Sequence, residues 1–300
     1  MSGISTNRSD IALPSEVSSE IITKTQEGSA IMRLARKVAL PGLGKTIPMI
    51  TSDPVAEWVE ETGAKPVSNP VLNKKTMRPY KLAVIVPFSD EFRRDVKFLY
   101  DEIVRRIPGV LAEKFDATVI GKVQKPGDNF DTFASCTAQS LSSDAYAGLV
   151  AADTDISVNG GLLDGFALSP QARGVLLSAT DGNDRPLFIN SVSEGAIPRI
   201  LGAPTYFNKG MYKAGQAASD PDPAVPNIVG VAGDWTKAMY GTVEGVQITT
   251  SNQASLTYTE NNEAKTINLF QENMFAVRAE IEVGFLADTS VFNLLTTAYS

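Results

Sequence analysis

Residues 51–121 read TSDPVAEWVEETGAKPVSNPVLNKKTMRPYKLAVIVPFSDEFRRDVKFLYDEIVRRIPGVLAEKFDATVIG, and three textures follow one another in them. The first, 51–79, carries four prolines (Pro54, Pro66, Pro70, Pro79), Trp58 and charges of both signs, with no apolar stripe that would fold it onto a core. It is expected to project from the body. Residues 81–86 then read as a buried or half-buried strand. From Ser89 onward Phe92, Val96, Leu99, Tyr100, Ile103, Val104 and Ile107 recur at three- and four-residue spacing, the signature of an amphipathic helix. Ser89 is a suitable N-cap, and Asp90 and Glu91 complement the helix dipole in the first turn. The pattern resumes past Pro108-Gly109 at Leu111, Phe115 and Val119, so a kink or brief break is expected at Pro108. Continuous to Gly121, the element would span about 50 Å. A catalytic domain rarely needs that shape.

Working outward, residues 1–12 read as a polar arm, Pro14 opens a short helix to about Gln26, residues 28–36 form a second helical piece, and 38–50 are strand-like. Beyond Lys125 short apolar segments are punctuated by Gly, Pro, Asn and Asp, which points to an α+β region. Helices are expected at 144–153 and from Pro170 to about Ser178, a strand at 165–168, and a tight turn at Asp181-Gly182-Asn183. An exposed loop is expected over 208–227, with strands returning in 238–250. Residues 273–285 give the cleanest strand signal: Phe275, Val277, Ala279, Ile281, Val283 and Phe285 alternate with Arg278, Glu280 and Glu282.

The chain has 300 residues, 43% of them hydrophobic, enough for a substantial core. No window approaches roughly 18 consecutive apolar residues, and the N-terminus lacks the apolar run of a signal peptide. Cys136 is the single cysteine and fits synthesis in a reducing cytoplasm. There is no histidine, which removes Ser-His-Asp and Cys-His catalysis and histidine-ligated zinc. The pairs Asp153/Asp155 and Asp220/Asp222 lack the context of a calcium loop and read as solvated turns. Gly44-Lys45-Thr46 resembles the tail of a phosphate loop, but Ala39 stands where the first glycine belongs and Ile47-Pro48-Met49-Ile50 replaces the helix, so a turn and strand are expected. The net charge of −7, with Arg93-Arg94 and Arg105-Arg106 interleaved among acids, argues against tight nucleic-acid binding.

Several short motifs then fall in a shared order: Trp58-Val59-Glu60-Glu61-Thr62-Gly63, Tyr80-Lys81-Leu82-Ala83, Phe166-Ala167-Leu168-Ser169-Pro170, Asp184-Arg185-Pro186-Leu187-Phe188, Ile200-Leu201-Gly202-Ala203-Pro204, Gly233-Asp234-Trp235-Thr236, Ala276-Val277-Arg278-Ala279-Glu280 and Val283-Gly284-Phe285. In this order the chain resembles the tailed-bacteriophage major capsid proteins with the Hong Kong 97-type fold. The resemblance implies an α+β fold with an N-terminal arm and short helices (1–35), a peripheral domain with a long spine helix (36–50, 81–125 and 246–285), an extended loop (51–80) and an axial domain (126–245 and 286–300). It implies a structural protein without cofactor or bound metal that assembles into pentamers and hexamers and encloses double-stranded DNA in an icosahedral shell. On the loop, Trp58, Glu57, Glu60, Glu61, Lys65, Lys74, Lys75 and Arg78 are then candidates for inter-subunit contact, with Trp58 the anchor; on the spine helix the candidates are Arg93, Arg94, Arg105 and Arg106.

Some members of that family carry an N-terminal scaffolding segment that is later cleaved. The short run before the arm here implies a separate scaffolding protein or assembly without one, with a portal and decoration protein as further partners, DNA held without sequence specificity, and assembly in the host cytoplasm. Some members also form a Lys-Asn isopeptide crosslink, for which Lys65 or Lys74 would offer the amine and Asn273 or Asn293 the amide; noncovalent contact is the simpler expectation. An encapsulin-type nanocompartment shell enclosing cargo enzyme shares the fold and is the alternative. A histidine-free enzyme using Glu280 and Glu282 is the third class, although both lie beside Arg278 on one strand face, as in a solvated sheet or subunit contact.

Overall fold

The computed structural model describes residues 25–26, 28–52, 71–95, 97–181, 185–188, 199–219, 223–243, 247–260 and 263–299, with positions 56, 58, 59, 65, 67 and 183 between them; side chains at 49–52, 71–73 and 93–104 are not among those described. The arm expected over 1–12 and most of the helix expected from Pro14 to about Gln26 lie outside this set; Thr25 and Gln26 are helical.

The organising element is the long strand at Met274–Ala287 (β14, numbering strands in chain order). Its alternation is realised: Phe275, Val277, Ala279, Ile281, Val283 and Phe285 are buried, while Arg278 is exposed and Glu280 and Glu282 half-buried. Fourteen residues are long enough to serve several partners. One edge pairs with β4 (Tyr80–Ser89); the other pairs first with β11 (Gln247–Ser251) and then with β10 (Ala238–Thr242), and β1 (Arg36–Ala39) adds in parallel to β10. The strand expected at 81–86 thus runs from 80 to 89, and the strand-like 38–50 is broken by a turn at 42–43 before β2 (Lys45–Ser52).

Short helix α1 (Ala30–Leu34) is capped by Ser29, whose Oγ accepts the Met32 N–H at 3.0 Å. Ser89 plays the same part for α2 (Asp90–Asp95), its Oγ accepting from Phe92 N–H at 3.0 Å. Helix α3 (Lys97–Val119) follows, about 35 Å long by its residue count. Pro108 sits inside it without ending it, so the helix is not broken there as expected. Ile107 and Leu111 pack with Phe88, Phe275 and Val277 against the five-stranded sheet, and Phe115, Val119 and Ile120 enter the larger core beyond.

That core is built on a six-stranded sheet in the order β5 (Thr137–Ser140), β15 (Phe292–Thr297), β9 (Asn227–Gly233), β6 (Gly165–Leu168), β8 (Ala203–Phe207), β7 (Arg199–Ile200). The expected strand at 165–168 is β6, and the helix opening at Pro170 is α5 (Pro170–Ser178); the helix expected at 144–153 is α4 (Ala145–Val158), capped by Asp144 and one turn longer. Phe133, Trp235, Phe285 and Phe292 interlock at its centre, with Phe133 and Phe292 ring centroids 4.6 Å apart and the Trp235 indole N–H donating to Gly165 O at 2.9 Å. Phe285 comes from β14, so the two sheets share this cluster. The loop expected over 208–227 is more ordered than its composition implied: a 3-10 turn at Lys209–Met211 buries Met211, and Lys213 and Gln216 bridge to Ile228 and Val225. Two further hairpins stand apart from the sheets, β2 with β3 (Val71–Met77), and β12 (Ser255–Glu260) with β13 (Glu263–Asn268).

Candidate assembly interface

Of the sequence that carried four prolines and no stripe, residues 51–52 and 71–77 are described as parts of the β2–β3 hairpin. Its limbs pair antiparallel from Lys45↔Met77 to Ser52↔Val71, so it begins at 45 and not at 51. The root is fixed. Gly44 turns the chain with φ +88, and a Cβ there would lie 2.5 Å from Met77 O. Met77 is fully buried with Leu40, Met239 and Leu286. Lys75 Nζ contacts Asp131 Oδ2 at 2.8 Å and Ala287 O at 2.9 Å, and the same carboxylate oxygen accepts Ala287 N–H at 3.1 Å. Lys75, a candidate for contact between subunits, therefore spends its charge within the chain; with about a third of its side chain exposed, the pair contributes about 1 kcal/mol or less.

Beyond the root, the described residues face solvent. Trp58 is 104% exposed, Val67 87% and Val59 39%, and Lys65, Lys74 and Arg78 are exposed as well. Glu57, Glu60 and Glu61 lie outside the described residues. Covering one indole of 150–250 Å² at about 25 cal/mol per Å² is worth up to about 4–6 kcal/mol. On α3, Arg105 and Arg106 are exposed, whereas the side chains of Arg93 and Arg94 are not described.

Asn293 is buried (1% exposed), and its amide donates to Ala152 O at 3.2 Å. It is inaccessible to another subunit's lysine, which corrects its candidacy for a crosslink. Asn273 is exposed at φ 51, with its carbonyl accepting the Asp90 N–H at the start of α2. The carboxylates of the enzyme alternative are taken up in ion pairs, Glu280 with Arg278 at 3.5 Å and Glu282 with Lys81 at 3.2 Å. Gly44-Lys45-Thr46 is a turn and strand, with the Thr46 and Thr76 hydroxyls 3.1 Å apart across the hairpin. Asp153 and Asp155 lie on α4, while Asp220 and Asp222 are not among the described residues.

A cleft of about 500 Å³ opens between the start of α4 and the end of α5. Its carboxylates serve the backbone: Asp144 caps α4 by accepting Ala147 N–H, and Asp181 accepts from Asn183 N–H and from the Arg185 N–H and Nε, bonds that hold Asp181 below the usual carboxylate range. A more consequential carboxylate escaped sequence reading. Asp116 on α3 is fully buried and accepts from Ser29 Oγ at 2.5 Å and Ala30 N–H at 2.9 Å, clamping the start of α1. Burial pushes its carboxyl up to about 7, against the opposing pull of these hydrogen bonds. The available signal was an acid in the i, i+4 row of Ala112, Asp116 and Ile120, where the other members are apolar.

The phage capsid family profile matches residues 10–287. The probable major capsid protein gp17 of Mycobacterium phage D29 is 27% identical, covering 96% of this chain and 91% of that protein. The protein of the same description from Mycobacterium phage L5 is 26% identical over 91% of this chain and 85% of its own length. A solved structure from Gordonia phage Cozz superposes with a TM-score of 0.69 at 21% identity, covering 91% of this chain and 87% of that one. With the mixed helix and strand architecture common to such structures and a profile match over nearly its whole length, the chain belongs to the phage capsid family.

Proposed function

We propose that this chain is the major head subunit of a tailed phage, in the Hong Kong 97-type arrangement, and that it forms pentamers and hexamers which close into an icosahedral shell around double-stranded DNA. The β2–β3 hairpin with its intervening residues is the extended loop. The five-stranded sheet with α3 is the peripheral domain, α3 its spine, and the six-stranded sheet with α4 and α5 the axial domain. The observation that carries this reading is a hairpin rooted at Met77 and Lys75 whose outer residues Trp58 and Val67 are almost wholly exposed. An exposed tryptophan on a rigid root is an anchor awaiting a neighbour. The net charge of −7 suits an inner wall on which DNA slides without sticking. A scaffolding protein, a portal and a decoration protein are the partners of this reading, and the host cytoplasm the place of assembly.

Lys65 or Lys74 with Asn273 remains the pair open to covalent linkage; a single monomer band from mature particles in denaturing electrophoresis would remove it. Mass photometry of the purified chain tests the function. Species at about 160 and 193 kDa, five and six times the 32.1 kDa subunit, are expected. A sample that stays at the monomer mass, alone and with the products of neighbouring genes, would refute the proposal.

A further inference from the structure

Among the described residues two carboxylates are buried, Asp116 and Asp234. Asp234 holds its own loop, accepting from the Leu162 and Thr236 N–H groups and the Thr236 hydroxyl. Asp116 instead joins two distant parts of the chain, α3 and the start of α1. The described groups that act on it are all neutral: the Ser29 hydroxyl and the backbone N–H groups of Ala30 and Ile31. A buried carboxylate held by neutral donors is costly to ionise, and the cost disappears when water reaches it.

The 3-10 turn at Lys209–Met211 closes the other side of this contact. Asn208 Nδ2 donates to Gly28 O while its Oδ1 accepts the Gly210 N–H at 2.7 Å, so one side chain ties the turn to the residue before Ser29. Gly210 lies so close to α3 that a Cβ on it would meet Glu113 O at 2.3 Å and Asp116 Cβ at 3.1 Å. The ionisable side chains on these elements are exposed or engaged elsewhere: Glu113, Lys114 and Lys209 are exposed, and the Arg33 guanidinium lies 5.0 Å from the Tyr206 ring centroid. Lys24 and Glu27 are not among the described residues. Helix α1 has only five residues, too few to persist undocked. Its docking buries Ala30, Ile31 and Met32, which keeps it closed when Asp116 is neutral.

We propose that Asp116 is a proton-operated latch: neutral, it holds the start of α1 on α3, and ionised, it promotes opening of that contact while the two sheets stay folded. Opening hydrates the carboxylate, so the open form releases the proton that the closed form retains. With the closed carboxyl raised from 3.8 to about 7, the latch is tightest below about pH 4 and loosens as pH rises through that interval. The attachment of residues 28–35 to α3 is then set by pH near neutrality, whatever the state of assembly.

Amide hydrogen exchange of the full-length subunit from about pH 4 to about pH 9, with the intrinsic pH dependence of exchange divided out, tests the latch. At Ala30, Met32 and Ala35 protection is expected to fall about tenfold per pH unit up to about pH 7 and to level off above it, on the order of a thousandfold in all. Low urea should leave exchange at these amides unchanged, as for an opening that exposes little surface, while Val231 in β9 and Leu294 in β15 respond to urea as for global unfolding. Asp116→Asn should abolish the pH slope at Ala30, Met32 and Ala35. Ser29→Ala keeps the carboxyl but removes a hydrogen bond that lowers its pKa, so the levelling should move to higher pH. Two results would overturn the latch: α1 amides that share the urea dependence of Val231, so that the contact opens only on global unfolding, or a pH slope that survives in Asp116→Asn.

Discussion

Replacing Asp116 with asparagine should change how stability depends on pH. In the folded chain the carboxyl is fully buried between α3 and the start of α1, and its pKa is raised from 3.8 to about 7. The folded state therefore holds a proton that the unfolded state has released across that interval. Its stabilising contribution is fully present below about pH 4 and is lost as pH rises through about 7. At about 1.36 kcal/mol per pH unit, the wild type forfeits up to about 4 kcal/mol from this group between pH 4 and pH 8. The amide introduced by Asp116→Asn keeps an acceptor for the Ala30 N–H and a donor for Ser29 Oγ but carries no charge, so the variant lacks this loss. Urea unfolding of the unassembled subunit, followed by fluorescence of the buried Trp235, reads the difference. The stability of Asp116→Asn relative to wild type should rise from pH 4 to about pH 7 and level off above it. Parallel pH curves would refute the claim that this carboxylate is buried against its own ionisation.

Other consequences are quicker to check. Phe133→Ala removes the ring at the meeting of the two sheets and should cost about 3–5 kcal/mol in denaturant unfolding; a loss below about 1 kcal/mol would mean the cluster is not close-packed. Lys75→Met frees the hairpin root from Asp131 and Ala287 O. It should lower global stability by about 1 kcal/mol or less while amide exchange across β3 speeds up, and unchanged exchange would show the root is held by Met77 alone. Trp58→Ala should leave the melting temperature of the subunit unchanged, as its side chain touches little in its own chain, yet sharply reduce the yield of assembled particles in electron micrographs.

What the residues disclosed follows from how each element is buried. β14 has one apolar and one charged face, and such a strand writes its alternation into the sequence. β9 and β15 lie in the middle of the six-stranded sheet, buried on both faces, so Ile228 to Gly233 and Phe292 to Leu295 show no alternation to find. The β12–β13 hairpin fails for the opposite reason, since its largely exposed polar residues leave no apolar face. On α3 the apolar stripe was legible while Asp116 inside it was not, because a buried acid is explained only by Ser29 and Ala30, more than eighty residues away in sequence. The exposure of Trp58 was legible from its setting, whereas the bond that ties Lys75 to Asp131 depends on the fold bringing the hairpin root against the end of β14. Asn293 looked like any other asparagine until the sheet closed over it.

Copies of this chain are proposed to build a closed shell through surfaces that the single subunit leaves uncovered. Negative-stain electron microscopy of the purified wild type, imaged beside Trp58→Ala, tests it most directly. Uniform shells, or rings of five and six subunits, are expected from the wild type and should be scarce in the variant. Featureless monomers from the wild type, persisting when the neighbouring phage genes are coexpressed, would contradict it.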